Sequence, residues 1–324
     1  MEGWLMFETE SLSVPRAGWN TVQELYRRNH ILCLVAAANL TLTIVFTVLM
    51  ALDGRTLLGR NVWTKPWKFA ISIAIFAGTM GWILPSLSLD NRIERAVSLI
   101  IGSAMTIEIV LISMQAARGV ASHFNDSTPM DTAIYAVMGV TITISSIAVA
   151  YVLWRFVRNP PSLAPAYLWG LRLGMFLFVV ASIEGWVMVA YSGHGIGVEN
   201  ATAGLPLLNW NLTSGDLRVA HFVGLHALQI LPLVGYGAAT WERLSTHQSI
   251  WIVGAGSLLY GSVTILAFLQ AILGHPVVRE GLSVSLSPSF LAGCFVIITV
   301  GSTLGLATRW HQSHQHHSVR SSDL

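Results

Sequence analysis

Long apolar runs alternate with short polar breaks along almost the whole chain. A helix needs about 20 mostly apolar residues to cross the hydrocarbon core of a bilayer, and these runs reach that length. Arg, Pro or Gly residues occupy most of the breaks between them. The pattern therefore predicts eight spanning helices, at residues 31–53, 69–89, 96–118, 132–155, 168–192, 216–238, 250–273 and 289–309.

The composition agrees with a chain that lies mostly in lipid. Hydrophobic residues make up 53% of the sequence and charged residues only 10%, whereas a soluble globular chain carries about a quarter charged residues. We predict an all-α, polytopic transmembrane helical bundle over residues 31–309. Residues 1–30 are expected to form an amphipathic segment at the inner face of the membrane, and residues 310–324 a flexible, His-rich tail.

The distribution of Lys and Arg favours an orientation with both termini in the cytoplasm. Ten of these residues then lie on the cytoplasmic side and six on the other, and cytoplasmic loops carry the excess of positive charge. The basic segment at 55–68 opposes this assignment. We expect a multi-pass protein of the cell inner membrane whose partner is the lipid bilayer. A nucleic-acid partner is not expected, because the basic residues form no patch.

Ionisable side chains are concentrated on three of the predicted helices. Each such group costs about 2.5–3.5 kcal/mol on insertion scales, so it is a functional candidate by default. Glu108 and Gln115 lie about two turns apart on one face of the third helix. Glu184 belongs to the fifth helix, and a polar stripe on the sixth includes His221 and His226.

Depth along these helices predicts two polar layers. At about 1.5 Å per residue from the outer helix ends, Glu108, Glu184 and His226 come near the bilayer midplane and form a floor. If the three helices are neighbours, a polar funnel leads from the outer surface to this floor, and the loop at 194–215 would cover it. The outer layer contains Arg118, His123, His194, Asp216, Arg218 and His221.

The favoured hypothesis is a redox-linked metal or haem site, with iron as the first choice among transition metals. Imidazole with carboxylate suits iron, manganese or zinc, and imidazoles on facing helices suit haem iron. The catalytic groups of such a membrane oxidoreductase would be Glu108, Glu184 and His226. Arg118 and Arg218 would balance charge or hold an acidic group of a lipid-soluble substrate or quinone. The expected metal ligands are His123, His194, His221 and His226.

Two other functions and a purely structural interpretation stay open. The first is metal-free acid/base catalysis on a lipid-soluble substrate such as a prenyl chain, because buried carboxyl groups can act as general acids. The second is a proton-coupled transporter, in which Pro232 and Gly235 would break the sixth helix in its inner half. In the structural interpretation the ionisable groups pair with one another, as Arg218 could with Glu184.

Three segments carry a resemblance to a group of bacterial multi-pass membrane proteins of uncharacterised activity. They are Asn61-Val-Trp-Thr-Lys-Pro-Trp-Lys-Phe-Ala-Ile-Ser, Ser122-His-Phe-Asn and Gly215-Asp-Leu-Arg-Val-Ala-His-Phe-Val-Gly-Leu-His-Ala-Leu-Gln. The resemblance includes His123, His221 and His226. It implies a bacterial origin and the same multi-helix fold, and it supplies no activity.

Overall fold

The structure, a computed structural model, describes residues 14–197 and 204–277. Seven helices in these ranges are long and apolar enough to cross a membrane, which confirms the all-α polytopic bundle. The predicted eighth span at 289–309 and the tail at 310–324 lie outside the described residues. The helices are α1 Val14–Arg28, α2 His30–Leu52, α3 Thr64–Ile83, α4 Asn91–Arg118, α5 Pro129–Arg158, α6 Pro165–Ala190, α7 Leu217–Thr240 and α8 Thr246–Ile272.

Four very short strands and one 3₁₀ turn join the helices. The two strands between α2 and α3 form one small sheet, and the two between α6 and α7 form another. The first hairpin turns at Leu58 and Gly59, whose φ angles of 49° and 72° are left-handed. The short elements are β1 Thr56–Leu57, β2 Arg60–Asn61, the 3₁₀ turn Leu84–Leu87, β3 Gly195–Ile196 and β4 Gly215–Asp216.

Local sequence signals set several helix ends. Asn29 accepts a hydrogen bond from the Leu32 N–H at the start of α2, and Ser245 forms a capping box with Gln248 at the start of α8. The helix α3 starts at Thr64, five residues before the predicted second span at 69–89. Pro66 lies in its first turn, where a missing N–H costs no helical hydrogen bond, so this polar segment belongs to the helix.

The described residues fall into two compact units. Unit 1 contains α1 to α4 with the middle of α5, at residues 14–55, 61–120 and 136–145. Unit 2 contains the β1 hairpin tip, both ends of α5 and all of α6, α7 and α8, at residues 56–60, 121–135, 146–197 and 204–277. Each unit is held by its own helix contacts, chiefly α2 with α3 in unit 1 and α6 with α7 in unit 2.

Many of the largest apolar side chains point away from the helix contacts. Ile44, Leu233, Ile147 and Ile183 are each more than 60% exposed. A soluble protein rarely exposes contiguous apolar surface of this kind, whereas lipid tails are as apolar as these side chains. The outer faces of the helices therefore suit the hydrocarbon core of a bilayer.

Small residues let α6 and α7 approach closely, as the Gly170-xxx-Gly174 spacing predicts. Gly170 faces the Leu231 carbonyl, and a Cβ on Gly174 would lie only 2.6 Å from the Ala227 carbonyl oxygen. The helix α7 runs unbroken through Pro232. The expected break of this helix is therefore wrong, because the close α6–α7 packing holds the proline inside the helix.

Candidate functional site

Unit 1 contains one buried carboxyl group in the middle part of its helices, that of Glu108. The side chain is 4% exposed on α4, and its Oε1 accepts a 3.2 Å hydrogen bond from the Thr141 hydroxyl on α5. The ammonium of Lys65 at the start of α3 attracts the carboxylate electrostatically. Glu108 thus has a donor and a positive charge within its own unit.

His123 would share a helix face with Glu108 only if α4 continued through Gly119. The helix instead ends at Arg118, as the predicted span 96–118 does, and Gly119 caps it with φ of 74°. His123 lies in the following loop, where its Nδ1 is 3.1 Å from the Ser122 hydroxyl. Arg118 donates to the Gln115 side-chain carbonyl.

In unit 2 the carboxyl group of Glu184 is buried within the spanning helix α6. The side chain is 8% exposed, and by helical spacing it shares a face with Leu177 and Met188. That face packs against α8, since Leu177 contacts Gly261. Among the residues that the structure describes, no donor lies within hydrogen-bond distance of Glu184 Oε1.

The α6–α7 register places His221 at the level of Glu184. A Cβ on Gly185 would come within 3.2 Å of His221 Cε1, so the imidazole lies directly against the residue after Glu184. The His221 Nδ1–H donates to the Ala181 carbonyl over 2.7 Å. His221 therefore lies at the α6–α7 contact, four residues after the start of α7.

The predicted floor residues lie at different depths from their own helix ends. Glu184 is six residues before the end of α6, about 9 Å. His226 is nine residues after the start of α7, about 14 Å, and Glu108 is ten residues before the end of α4, about 15 Å. Within unit 2, Glu184 is therefore nearer the outer end than His226. The joint floor draws residues from both units and stays a prediction.

His226 belongs to an aromatic series along α7. Its ring packs edge-to-face on Phe222 with 4.1 Å between centroids, and Phe222 contacts Trp210 at 5.5 Å. The Gln229 side chain is its hydrogen-bond partner. The imidazole is thus part of an apolar and amide environment on α7, and Phe222 lies between it and Trp210 of the preceding loop in this series of ring contacts.

Asp216 is the centre of a polar cluster at the outer end of unit 2. It is 1% exposed and forms a 2.6 Å ion pair with Arg218, while His194 Nδ1 lies 3.6 Å from its Oδ1. The Asn211 N–H donates to its other oxygen over 2.8 Å. Burial acts to raise the pKa of Asp216, but the bonds and charge of Arg218, with His194 and Asn211, hold it below its usual value.

The loop before α7, residues 204–215, folds back over this cluster. Arg60 donates to the Gly204 carbonyl and to Asn209 Oδ1, and Arg218 donates to the Asn209 carbonyl. The Asn211 side chain accepts from the Thr213 N–H over 2.9 Å. The segment 204–215 therefore covers the start of α7, and both arginines bind its backbone. Whether it forms a lid over a funnel stays a prediction.

An apolar layer separates the outer cluster from Glu184. Met188, Leu217 and Ala271 form a buried cluster with Phe268 and Ile196 packed against it. Met188 is one turn outward of Glu184 on α6, and Leu217 follows Asp216 directly. Within unit 2, the Asp216 cluster is therefore followed by an apolar layer and then by the Glu184 carboxyl group. These polar groups do not form a continuous funnel within the described part of the unit.

The expected metal ligands do not come together into a multi-ligand site. Among the described residues, no group of three His, Cys, Asp or Glu side chains has a geometry that could hold a metal ion. His194 contacts Asp216, His221 contacts a backbone carbonyl, and His123 and His226 lie in separate aromatic surroundings. A haem needs fewer protein ligands than three, so the haem hypothesis stays a prediction.

Two partners in these sites were not expected from the sequence. Thr141 lies in an apolar run that shows no sign of a carboxylate partner, and the structural interpretation of the sequence paired Arg218 with Glu184 rather than with Asp216. The spacing Asp216-Leu-Arg218 was the available signal, since an N-cap Asp can bond the N–H and side chain two residues on. Arg218 pairs with Asp216 at this spacing, and not with Glu184.

Comparison of the chain with protein families, with curated proteins and with solved structures finds no match in any of the three.

Proposed function

We propose that this protein is a proton-coupled membrane transporter in which Glu184 binds and releases the proton. The observation that carries the proposal is the burial of Glu184 with an oxygen that has no hydrogen-bond partner among the described residues. An ionised carboxylate in an apolar interior is costly unless it is paired, and such groups neutralise instead. A neutral glutamic acid at this position holds a proton that it can exchange.

The apolar layer outside Glu184 supports transport over catalysis on a lipid-sized substrate. Met188 and Leu217 lie between the carboxyl group and the outer Asp216 cluster. A bound proton fits behind such a layer, whereas a prenyl chain would need the helices to separate. Intramembrane carboxyl groups of this kind serve as proton relays in pumps and transporters.

Glu108 is the second proton-binding candidate, because it is also buried within a spanning helix. The hydroxyl of Thr141 donates to it over 3.2 Å, so this carboxyl group has a hydrogen-bond partner within unit 1. We assign Glu108 to proton exchange in unit 1 and Glu184 to proton storage in unit 2. The pair would replace the metal-linked role first expected for these residues.

The test is infrared difference spectroscopy of the purified protein in lipid between about pH 5 and about pH 9, the range in which buried carboxyl groups titrate. We expect a protonated-carboxyl band that Glu184→Gln removes and that Glu242→Gln, a change at an exposed glutamate, leaves intact. In proteoliposomes with a pH gradient, a solute that dissipates the gradient with the wild-type protein should not dissipate it with the Glu184→Gln variant. A wild-type spectrum without a band sensitive to Glu184→Gln would refute the proposal.

A haem or metal redox function is the second candidate, and one observation favours it. The His221 Nδ1–H donates to the Ala181 carbonyl, which leaves Nε2 as the ring nitrogen with the lone pair, as in many metal-ligating histidines. Such a group would supply electron transfer when bound. The test is elemental analysis and visible absorption of the purified protein without residues 310–324. Iron that His221→Ala removes would support this candidate, and a metal-free folded protein would refute it.

A further inference from the structure

A groove runs between α2 and α4 on the surface of unit 1. Its volume is about 460 Å³, and its lining is almost entirely apolar. Gly102 forms its floor, because a Cβ there would lie 3.3 Å from Val35 and 3.5 Å from Ile31. The remaining lining residues are Leu99, Ser103, Thr106 and Ile107. Gly102 therefore lets α2 and α4 approach closely at the base of the groove, which is open along the surface of these two spanning helices.

Two arginines extend the groove toward one end of α4. Arg95 and Arg92 precede Leu99 by four and seven residues, so they lie on the same helix face, about 6 Å and about 10 Å further along the axis. Both are exposed. Among the described residues, neither forms an ion pair. The groove is thus apolar along its length and positively charged at one end.

The other arginines near this end are already engaged. Arg28 binds Glu24 at 3.1 Å, donates to the Trp82 carbonyl and lies 4.4 Å above the Trp82 ring. Arg27 pairs with Glu24 at 3.4 Å. The charges of Arg92 and Arg95 are therefore the ones that remain for a ligand at the groove.

We propose that this groove binds one anionic phospholipid, with an acyl chain between α2 and α4 and the phosphate at Arg92 and Arg95. The ligand combines the two features of the site, an apolar channel and a positive end, in one molecule. The Lys and Arg distribution assigns this end of the helices to the cytoplasm, and basic pockets between helices on that side bind anionic lipid head groups. The ligand is a lipid of the inner leaflet.

The experiment measures lipid binding to the full chain by native mass spectrometry. The probes are phosphatidylglycerol and phosphatidylcholine with identical acyl chains. Each basic residue near the headgroup contributes about fivefold in affinity, so Arg92→Gln with Arg95→Gln should weaken phosphatidylglycerol binding about twentyfold to thirtyfold. Arg158→Gln, which changes an exposed arginine at the end of α5, is the matched control and should leave binding unchanged.

A second variant tests the apolar part of the site. Ser103→Trp fills the groove from an exposed position and should abolish the bound lipid. Val140→Trp places the same ring on an exposed face of α5 and should keep it. Size-exclusion profiles and melting temperatures within those of the wild type show that each variant is folded.

Three results would overturn the proposal. The first is equal binding of the two phospholipids by the wild type, because the arginines would then not select charge. The second is full phosphatidylglycerol binding by the folded Ser103→Trp variant. The third is a structure of the whole chain in lipid in which another segment of this chain, such as residues 289–309, fills the groove.

Discussion

Each unit contains an Asp-x-Arg pair at the end of a helix, and the two pairs share their spacing and hydrogen-bond geometry but differ in burial. Asp53 follows the end of α2, and its side chain and that of Arg55 are 21% and 51% exposed. Asp216 precedes α7, and its side chain and that of Arg218 are 1% and 26% exposed. Burial, rather than sequence spacing, therefore decides what such a pair can contribute.

The partners of the two aspartates differ in the same way. Asp53 accepts hydrogen bonds from Arg55 and from the Trp63 indole N–H, and these bonds hold the pKa of Asp53 below its usual range. Asp216 is in addition bonded by a loop N–H, and Arg218 also binds the loop backbone. The pair in unit 1 closes one helix end, whereas the pair in unit 2 organises a loop.

The largest expected effect is from Asp216→Asn. Removal of its charge leaves Arg218 partly buried without its counter-ion, which should lower the free energy of unfolding by about 3 kcal/mol. Asp53→Asn is the matched control and should cost much less, because water solvates that pair. Chemical unfolding in detergent, followed by tryptophan fluorescence, measures both. Equal losses would show that burial does not separate the two pairs.

The buried carboxyl groups of Glu108 in unit 1 and Glu184 in unit 2 extend the comparison. Thr141→Val removes the hydroxyl that donates to Glu108 and should cost about 1–2 kcal/mol, because a buried acceptor loses its partner. Thr143→Val is the control, since that hydroxyl bonds only the Gly139 carbonyl of its own helix. The same unfolding measurement applies. A loss from the control as large as that from Thr141→Val would argue against a stabilising bond to Glu108.

Glu184→Met should have the opposite sign. Glu184 Oε1 has no partner among the described residues, so an unbranched apolar side chain of similar length should raise the free energy of unfolding by about 1 kcal/mol. Glu108→Met should instead lower it, because Thr141 would lose its acceptor. The two variants, measured in parallel, test whether Glu184 lowers the free energy of unfolding while Glu108 raises it. A destabilising Glu184→Met would point to a partner for this carboxyl group.

The smallest effect is a pH dependence. Because the pKa of Asp216 is lower in the folded protein than its ordinary value of 3.8, its stabilising contribution is complete above that value. The contribution is lost as the pH falls through the folded pKa. The difference in unfolding free energy between wild type and Asp216→Asn should therefore not narrow between neutral pH and about pH 5. It should narrow only in stronger acid, and narrowing near neutral pH would contradict the assignment.

The spanning helices could be predicted well because bilayer thickness acts on each apolar run separately. All seven spans that the described residues include were found, with ends displaced where local chemistry extends a helix, as Pro66 does at the start of α3. The positions of Glu108, Glu184 and His226 inside helices followed from the same counting. The end of α4 at Arg118 agrees with the predicted span 96–118. The continuation of α7 through Pro232 was not predicted, because a proline can either end a helix or lie within it.

A bundle of apolar helices with a few costly ionisable groups inside them can be predicted from the amino-acid sequence alone. The partners of these groups could be identified only from the folded chain: Thr141 with Glu108, His221 with the Ala181 carbonyl, and Asp216 with Arg218. The physical reason is that hydropathy and helical period are properties of one segment, whereas a hydrogen bond depends on the register between two. Close packing at Gly174 and Gly185 sets that register in unit 2.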